Sequence, residues 1–326
     1  MYLHLYESAS TFQEEYNENY HEPWVSYTNQ TEKVNYNKTR EEKRIGTPLT
    51  FEITVNGNIC WGTDAANRAL VIEYRKNGGE WTEITATTGT GTAISVVSGD
   101  TVQFRGDNGY YSNGDSICGF YGSTARFRLK GNIMSLVDSE HFMYENVYGE
   151  LHDNAYVFRG IFSECTGLTD ASELVLPAAA VSESCYDRMF AGCTGLTTPP
   201  SRLPATTLAT SCYGSMFSGC TSLTMAPELP ATTLATSCYG SMFLGCTSLT
   251  MAPDLLAAVT PAYAYYYMFY GCTSLNYVKC LAETGFWTNY WLSGVAANGT
   301  FVKKAGVTWP TTGSNGIPDG WTVLEE

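Results

Sequence analysis

The stretch Leu203–Pro227, LPATTLATSCYGSMFSGCTSLTMAP, returns at Leu229–Pro253 with one change in 25 positions, Ser218 against Leu244. A cysteine in the setting C-T-G/S-L marks the same point of related segments at 165, 193, 220, 246 and 272, in steps of 28, 27, 26 and 26. A period of this length means stacked structural units, because one short unit cannot bury its own apolar face and must share a core with its neighbours. A catalytic centre is a single point in a chain, so near-identical tandem copies argue for a scaffold or a binding surface.

Each cassette reads in two halves. In CTSLTMAPELP, residues Cys220, Leu223, Ala226 and Leu229 fall at steps of three, the relaxed form of a leucine-rich repeat, and a short strand is expected there. In ATTLATSCYGSMFSGC, Leu208, Cys212 and Met216 fall at i, i+4 and i+8, and Tyr213, Met216, Phe217 and Cys220 at i, i+3, i+4 and i+7. That spacing predicts a helical turn with one broad inward face. The outward positions Ser211, Gly214, Ser215 and Ser218 are all small.

The rest of the chain divides by composition. Residues 1–46 hold eight Glu and five Lys or Arg with Phe12, Tyr16, Tyr20 and Trp24 spaced among them; this is expected to be an arm that anchors the protein to a larger particle. Residues 47–135 alternate as strands (LTFEITV, ALVIEYR, AISVV, TVQFRG, ARFRLKG) between Gly, Asn and Ser turns and predict a small all-β, sandwich-like module. Residues 136–280 carry about five repeats, and 281–326 form a C-terminal cap in which GTFVKKA and GWTVLEE read as two closing strands. The expected fold is therefore multi-domain: the β module followed by a leucine-rich repeat solenoid with short strands and helical turns.

The repeats MFAGCTGLTTPP, MFSGCTSLTMAPELPA and MFLGCTSLTMAPDL, the ending GTFVKKAGVTWPTTGSNGIPDGWTV, and EYRKNGGEW with VQFRGDN together resemble the BspA-like leucine-rich repeat surface proteins of Bacteroidota and their phages. The resemblance spans roughly residues 47–326. It implies a surface-exposed binding or adhesion role, and it offers no catalytic residues to carry over.

The chemistry-bearing residues give no enzyme constellation. No G-x-S-x-G elbow is present. His141 in SEHF and His152 in LHD lie near carboxylates at the junction of module and repeats, and read as polar linker residues. The chain has 11 cysteines. The row Cys185, Cys212, Cys238 continues as Ala264 and, backwards, as Val157, so it is an apolar slot and not a ligand set. The repeat thiols are expected to be reduced and buried; neither a metal nor a cofactor is expected. A net charge of −14 disfavours nucleic acid as a partner, and the lack of a long apolar run excludes a membrane-spanning helix. The opening residues have no basic n-region, the first Lys or Arg being Lys33, which reads as a chain without a secretory signal.

The last repeat changes on its outer side. Ser237, Gly240, Ser241 and Leu244 are replaced by Tyr263, Tyr266, Tyr267 and Tyr270, and Trp287, Tyr290 and Trp291 follow in GFWTNYWL. These seven aromatics are the expected contact surface for a host-surface glycan or protein, since Tyr and Trp give large amphipathic contact area at low entropic cost; a capping layer is the competing reading, and the two can coexist. The functional expectation is a non-enzymatic phage virion surface protein of fibre or decoration type. Its arm would bind other virion proteins and its repeats would face the host; the alternative is a bacterial cell-surface adhesin. A homo-oligomer is compatible with the sequence, which fixes no symmetry.

Overall fold

In the computed structural model, residues 46–143, 151, 154–309 and 312–326 are described. The arm residues Phe12, Tyr16, Tyr20 and Trp24, together with His152, lie outside them.

Alternation in the first half of the chain produces strands with one buried face. β1 (Leu49–Val55), β3 (Val71–Lys76), β4 (Thr82–Thr85), β6 (Thr101–Arg105), β8 (Arg126–Asn132) and β9 (Leu168–Val175) make a six-stranded sheet in the order β4-β3-β6-β1-β8-β9. Its pairs are antiparallel apart from β8–β9, which is parallel. β2 (Gly57–Thr63), β5 (Thr92–Val96) and β7 (Cys118–Gly119) form a second sheet, order β5-β2-β7. Phe51 and Phe104 of the first sheet and Trp61 of the second converge on Phe120, at 4.8, 4.7 and 5.0 Å between ring centroids. At the far end β10 (Tyr277–Cys280), β11 (Thr300–Lys303) and β12 (Thr322–Glu325) form a third, parallel sheet.

The expectation of a leucine-rich repeat solenoid with helical turns is overturned. The described elements are twelve strands in three sheets and two 3-10 turns, and residues 154–280 contain no helix. Nor do the middle repeats carry the expected short strands. They have only isolated bridges such as Arg202↔Glu228 and Ala180↔Thr207, and full strands appear at the two ends alone, β9 and β10.

The supposed helical half is a run of four-residue turns. Ser211, Ser215 and Gly219 have φ of 54°, 51° and 75°; Ser237, Ser241 and Gly245 repeat this with 54°, 55° and 73°. A helix needs φ near −63° at every residue, so a left-handed residue at every fourth position excludes it. The chain turns every four residues all the same, which is why its apolar residues recur at i, i+4 and i+8 as a helix's would.

The backbone hydrogen bonds alternate along the run. Tyr213, Ser215 and Phe217 donate N–H to the carbonyls of Cys238, Gly240 and Met242 in the next repeat, at 3.0, 2.8 and 2.9 Å. The residues between them donate locally: Gly214 to Ser211, Met216 to Tyr213 and Ser218 to Ser215, at 2.9, 3.3 and 3.0 Å. The same alternation links 156–164 to 183–191 and 237–245 to 262–270. Backbone groups that would be costly to bury unpaired are thereby all engaged, half within a turn and half between repeats.

Side chains stack in register with these bonds. Phe162, Phe190, Phe217, Phe243 and Phe269 form one ladder with ring centroids 5.4–5.6 Å apart. Phe158, Tyr186, Tyr213, Tyr239 and Tyr265 form a second, at 5.6–6.4 Å. Both ladders begin in the β module, where Phe120 stacks on Phe162 at 5.6 Å and Tyr111 on Phe158 at 6.1 Å. Sheets and repeats therefore share one continuous apolar core.

All eleven cysteines are free and buried. Cys165, Cys193, Cys220, Cys246 and Cys272 each point the thiol at a phenylalanine carbonyl one level back (Phe120, Phe162, Phe190, Phe217 and Phe243), at 3.0–3.2 Å. The thiols of the other row, Cys185, Cys212 and Cys238, meet the backbone three residues earlier instead, at Ser182, Ala209 and Ala235, and its substitutes Val157 and Ala264 are as buried as the thiols they replace. Burial pushes the thiols of Cys238, Cys272 and Cys280 up to about 12, and those of Cys165, Cys220 and Cys246 also rise well above the ordinary value. These groups stay protonated when folded but ionise near pH 9 once unfolded, so the unfolded state binds fewer protons above that pH. Stability from this source is complete below about pH 8.5 and falls as pH rises towards 12. A melting curve that drops steadily from pH 9 to pH 11, with no thiol labelling of the folded protein at pH 8, is expected; rapid labelling at pH 8 would contradict the buried ladder.

Candidate recognition site

The repeat Tyr263–Gly271 keeps the backbone of its predecessors. Tyr263, Tyr267 and Gly271 have φ of 57°, 53° and 73°, in the places of Ser237, Ser241 and Gly245. Its inward residues Ala264, Tyr265, Met268, Phe269 and Cys272 are buried. The outer positions turn from Ser, Gly and Leu to tyrosine, as the sequence indicates, on a coil whose interior differs only by Ala264 for Cys238.

One further coil follows. Tyr267, Phe269 and Gly271 donate N–H to Asn289, Trp291 and Ser293, at 3.1, 2.9 and 2.8 Å, and Tyr290 and Gly294 have φ of 55° and 76°. Tyr290-Trp291-Leu292-Ser293-Gly294 thus repeats Tyr267-Met268-Phe269-Tyr270-Gly271 one level on, after a step of 23 residues. The sequence reading stopped at Cys272 because this coil has no cysteine; the match of YWLSG to YMFYG is the signal that marks it.

This places six of the seven expected aromatics together. Tyr267 stacks on Tyr290 at 5.3 Å and 16°, Tyr263 meets Trp287 at 5.5 Å, and edge contacts join Tyr263–Tyr266, Tyr266–Tyr267 and Tyr267–Tyr270 at 5.6, 4.3 and 5.2 Å. Tyr263, Tyr270, Trp287 and Tyr290 are 42–48% exposed, and Tyr266 and Tyr267 are half-buried between them. A hydrogen bond to Tyr266 holds the Tyr267 phenol above its ordinary value. The result is an aromatic surface whose rings brace one another.

Trp291 is not part of it, and its expected role as a contact residue is corrected. It is fully buried, stacks on Tyr265 at 6.0 Å and on Trp309 at 5.5 Å, and donates Nε1–H to the carbonyl of Gly316 at 2.9 Å. It sits in the slot that Met216, Met242 and Met268 fill in earlier coils, so it closes the core. Capping and display are thus divided between neighbouring residues.

The sequence reading also missed the polar flank. Asn315 accepts the Tyr290 N–H at 2.8 Å and its carbonyl accepts the Thr288 hydroxyl at 2.8 Å. Beyond it lies an open depression of about 230 Å³ lined by Ser293, Gly294, Ala297, Gly313 and Asp319. No charged residue occurs between Asp254 and Lys279 or between Glu283 and Lys303, so the aromatic surface itself is uncharged.

Elsewhere, His141 contacts Asp138 at 3.3 Å, and Asp138 accepts the N–H groups of Glu140 and His141, a local turn. Asp254 pairs with Lys279 at 3.5 Å, and Lys279 also with Glu326 at 2.8 Å, an edge network at the third sheet. Among the described residues no group of three or more His, Cys, Asp or Glu is placed to hold a metal ion, and no helix is long and apolar enough to cross a membrane. The chain matches no family model, no curated protein and no solved structure.

The division of roles has a direct test by chemical denaturation. Trp291→Ala is expected to cost about 3–5 kcal/mol, as for a large buried aromatic. Trp287→Ala is expected to cost below about 1 kcal/mol, because its ring is only partly covered. Equal losses would contradict the separation of cap from display surface.

Proposed function

We infer that the protein is a non-enzymatic recognition protein displayed on a phage virion, joined to the particle through residues 1–46 and meeting the host through the aromatic cluster. The observation that carries this reading is the cluster itself. Six aromatics, four of them more than two-fifths exposed, stand together on two successive coils, and the four on the first are not required by its backbone, since Ser, Gly and Leu serve at the same places one repeat earlier. Exposed Tyr and Trp at such density are typical of contact surfaces and costly as ordinary surface. Support for the virion setting is the resemblance of the MFxGCTSLT repeats and the ending to BspA-like surface proteins of Bacteroidota and their phages, and the change of composition at residue 46.

The preceding repeat supplies the variant that isolates the cluster. Tyr263→Ser, Tyr266→Gly, Tyr267→Ser and Tyr270→Leu together copy the outer face of residues 237–244 onto the next coil. Ser already occupies the left-handed positions there, at φ of 54° and 55°, so the fold is retained. Purified particles are expected to contain the chain with peptides from residues 1–46 intact, and the fourfold variant is expected to lose binding to host cells while keeping its melting temperature. Recovery from bacterial envelope fractions and absence from particles would favour the adhesin reading; unchanged cell binding by the variant would remove the cluster from recognition.

A further inference from the structure

We propose that the aromatic cluster and the depression beside it form a binding site for a neutral oligosaccharide, with Tyr290 and Trp287 as ring platforms and Asp319 as the hydroxyl acceptor. This rests on the reading of the cluster as a recognition face and specifies its ligand class.

Charge narrows the choice first. No cationic side chain lies in the stretches that carry the cluster, residues 255–278 and 284–302. Sulfated, phosphorylated or uronic-acid glycans would meet no counter-charge, and the single carboxylate of Asp319 in the depression would repel them. A basic peptide would find one carboxylate, too few for the paired charges that orient charged protein partners.

Chemistry narrows it further. A pyranose has an apolar C–H face and a rim of hydroxyls. The cluster offers the complement: exposed rings of Trp287 and Tyr290 for the face, and tyrosine hydroxyls, Ser293 and Asp319 for the rim. A carboxylate accepts two hydrogen bonds side by side, which suits adjacent sugar hydroxyls. The depression, about 230 Å³ and open to solvent, follows Tyr290 along the chain at Ser293 and brings Asp319 to the same end of the fold.

The stacking also decides which ring face is free. Tyr267 covers one face of Tyr290, with centroids 5.3 Å and planes 16° apart, while Tyr290 stays 46% exposed, so Tyr267 braces the platform and Tyr290 presents it.

The test is calorimetric and Trp-fluorescence titration of the full chain with hexaoses of N-acetylglucosamine, glucose, mannose and galactose, and with a hexagalacturonate as the anionic arm. Binding of at least one neutral hexaose is expected, weakened about tenfold or more, ~1.4 kcal/mol, by Tyr290→Ser and by Asp319→Asn. Ser is tolerated at the left-handed position of Tyr290, as Ser215 and Ser241 show, and Asp319→Asn changes charge at constant shape. No binding of any neutral hexaose, preference for the anionic one, or binding indifferent to both variants would overturn the proposal. If host-cell binding still falls in the fourfold Tyr variant while every hexaose fails, the ligand is a protein and the recognition reading stands alone; if neither is seen, both fall.

Discussion

Everything in the repeat region depends on how the backbone hydrogen bonds are shared. Along each coil one residue donates its N–H to the next repeat and its neighbour donates three residues back. A β-strand would send every bond sideways, and a helix would keep every bond within itself. This chain alternates, and it can do so because each fourth residue adopts positive φ and swings the peptide plane round. Ser and Gly fill most of those places; Gly carries no left-handed penalty and Ser the ordinary Cβ penalty, while β-branched side chains, for which it is larger, do not appear at Ser211, Ser215, Ser237 or Ser241.

The arrangement separates inside from outside. Inward positions are fixed by contact with equivalents above and below: phenylalanine on phenylalanine, tyrosine on tyrosine, thiol on carbonyl. Replacing one ring changes the fit of two neighbours, and the interior tolerates such change poorly. Outward positions are less constrained: one coil carries Ser, Gly and Leu where the next carries tyrosine. The coil at 263–271 uses that freedom, keeping Tyr265, Met268 and Phe269 inside while presenting four tyrosines outside. An aromatic surface has been added to a scaffold without altering it, and the following coil extends the surface through Tyr290 while closing the core through Trp291.

Much of this was legible in the sequence, and the failures are instructive. The period, the inward residues Tyr213, Met216, Phe217 and Cys220, and the clustering of Tyr263, Tyr266, Tyr267, Tyr270, Trp287 and Tyr290 follow from spacing alone. The conformation does not, because a four-residue turn and a 3.6-residue helical turn give nearly the same apolar pattern over ten residues. What distinguishes them is the identity of every fourth outer residue: Ser211, Ser215, Gly219 reads as a left-handed series, whereas a surface helix would favour Ala, Glu or Lys there. Tyr263 and Tyr267 hide that series in the decorated coil. Trp291 was misplaced because its coil has lost the marker cysteine and shortened its step to 23 residues, and Asn315 and Asp319 arrive from a turn that no periodicity connects to the cluster.

The left-handed turn is tested most directly at Ser215, whose side chain is neither in the core nor in the cluster. Urea denaturation of Ser215→Gly and Ser215→Ala gives opposite answers for the two conformations. At a φ of 51° the glycine variant is expected to be the more stable by about 1 kcal/mol, since only Gly adopts that region without a Cβ clash. If the alanine variant is instead the more stable by about 1 kcal/mol, the difference found in a helix interior, the segment is helical and the alternating hydrogen-bond scheme is wrong.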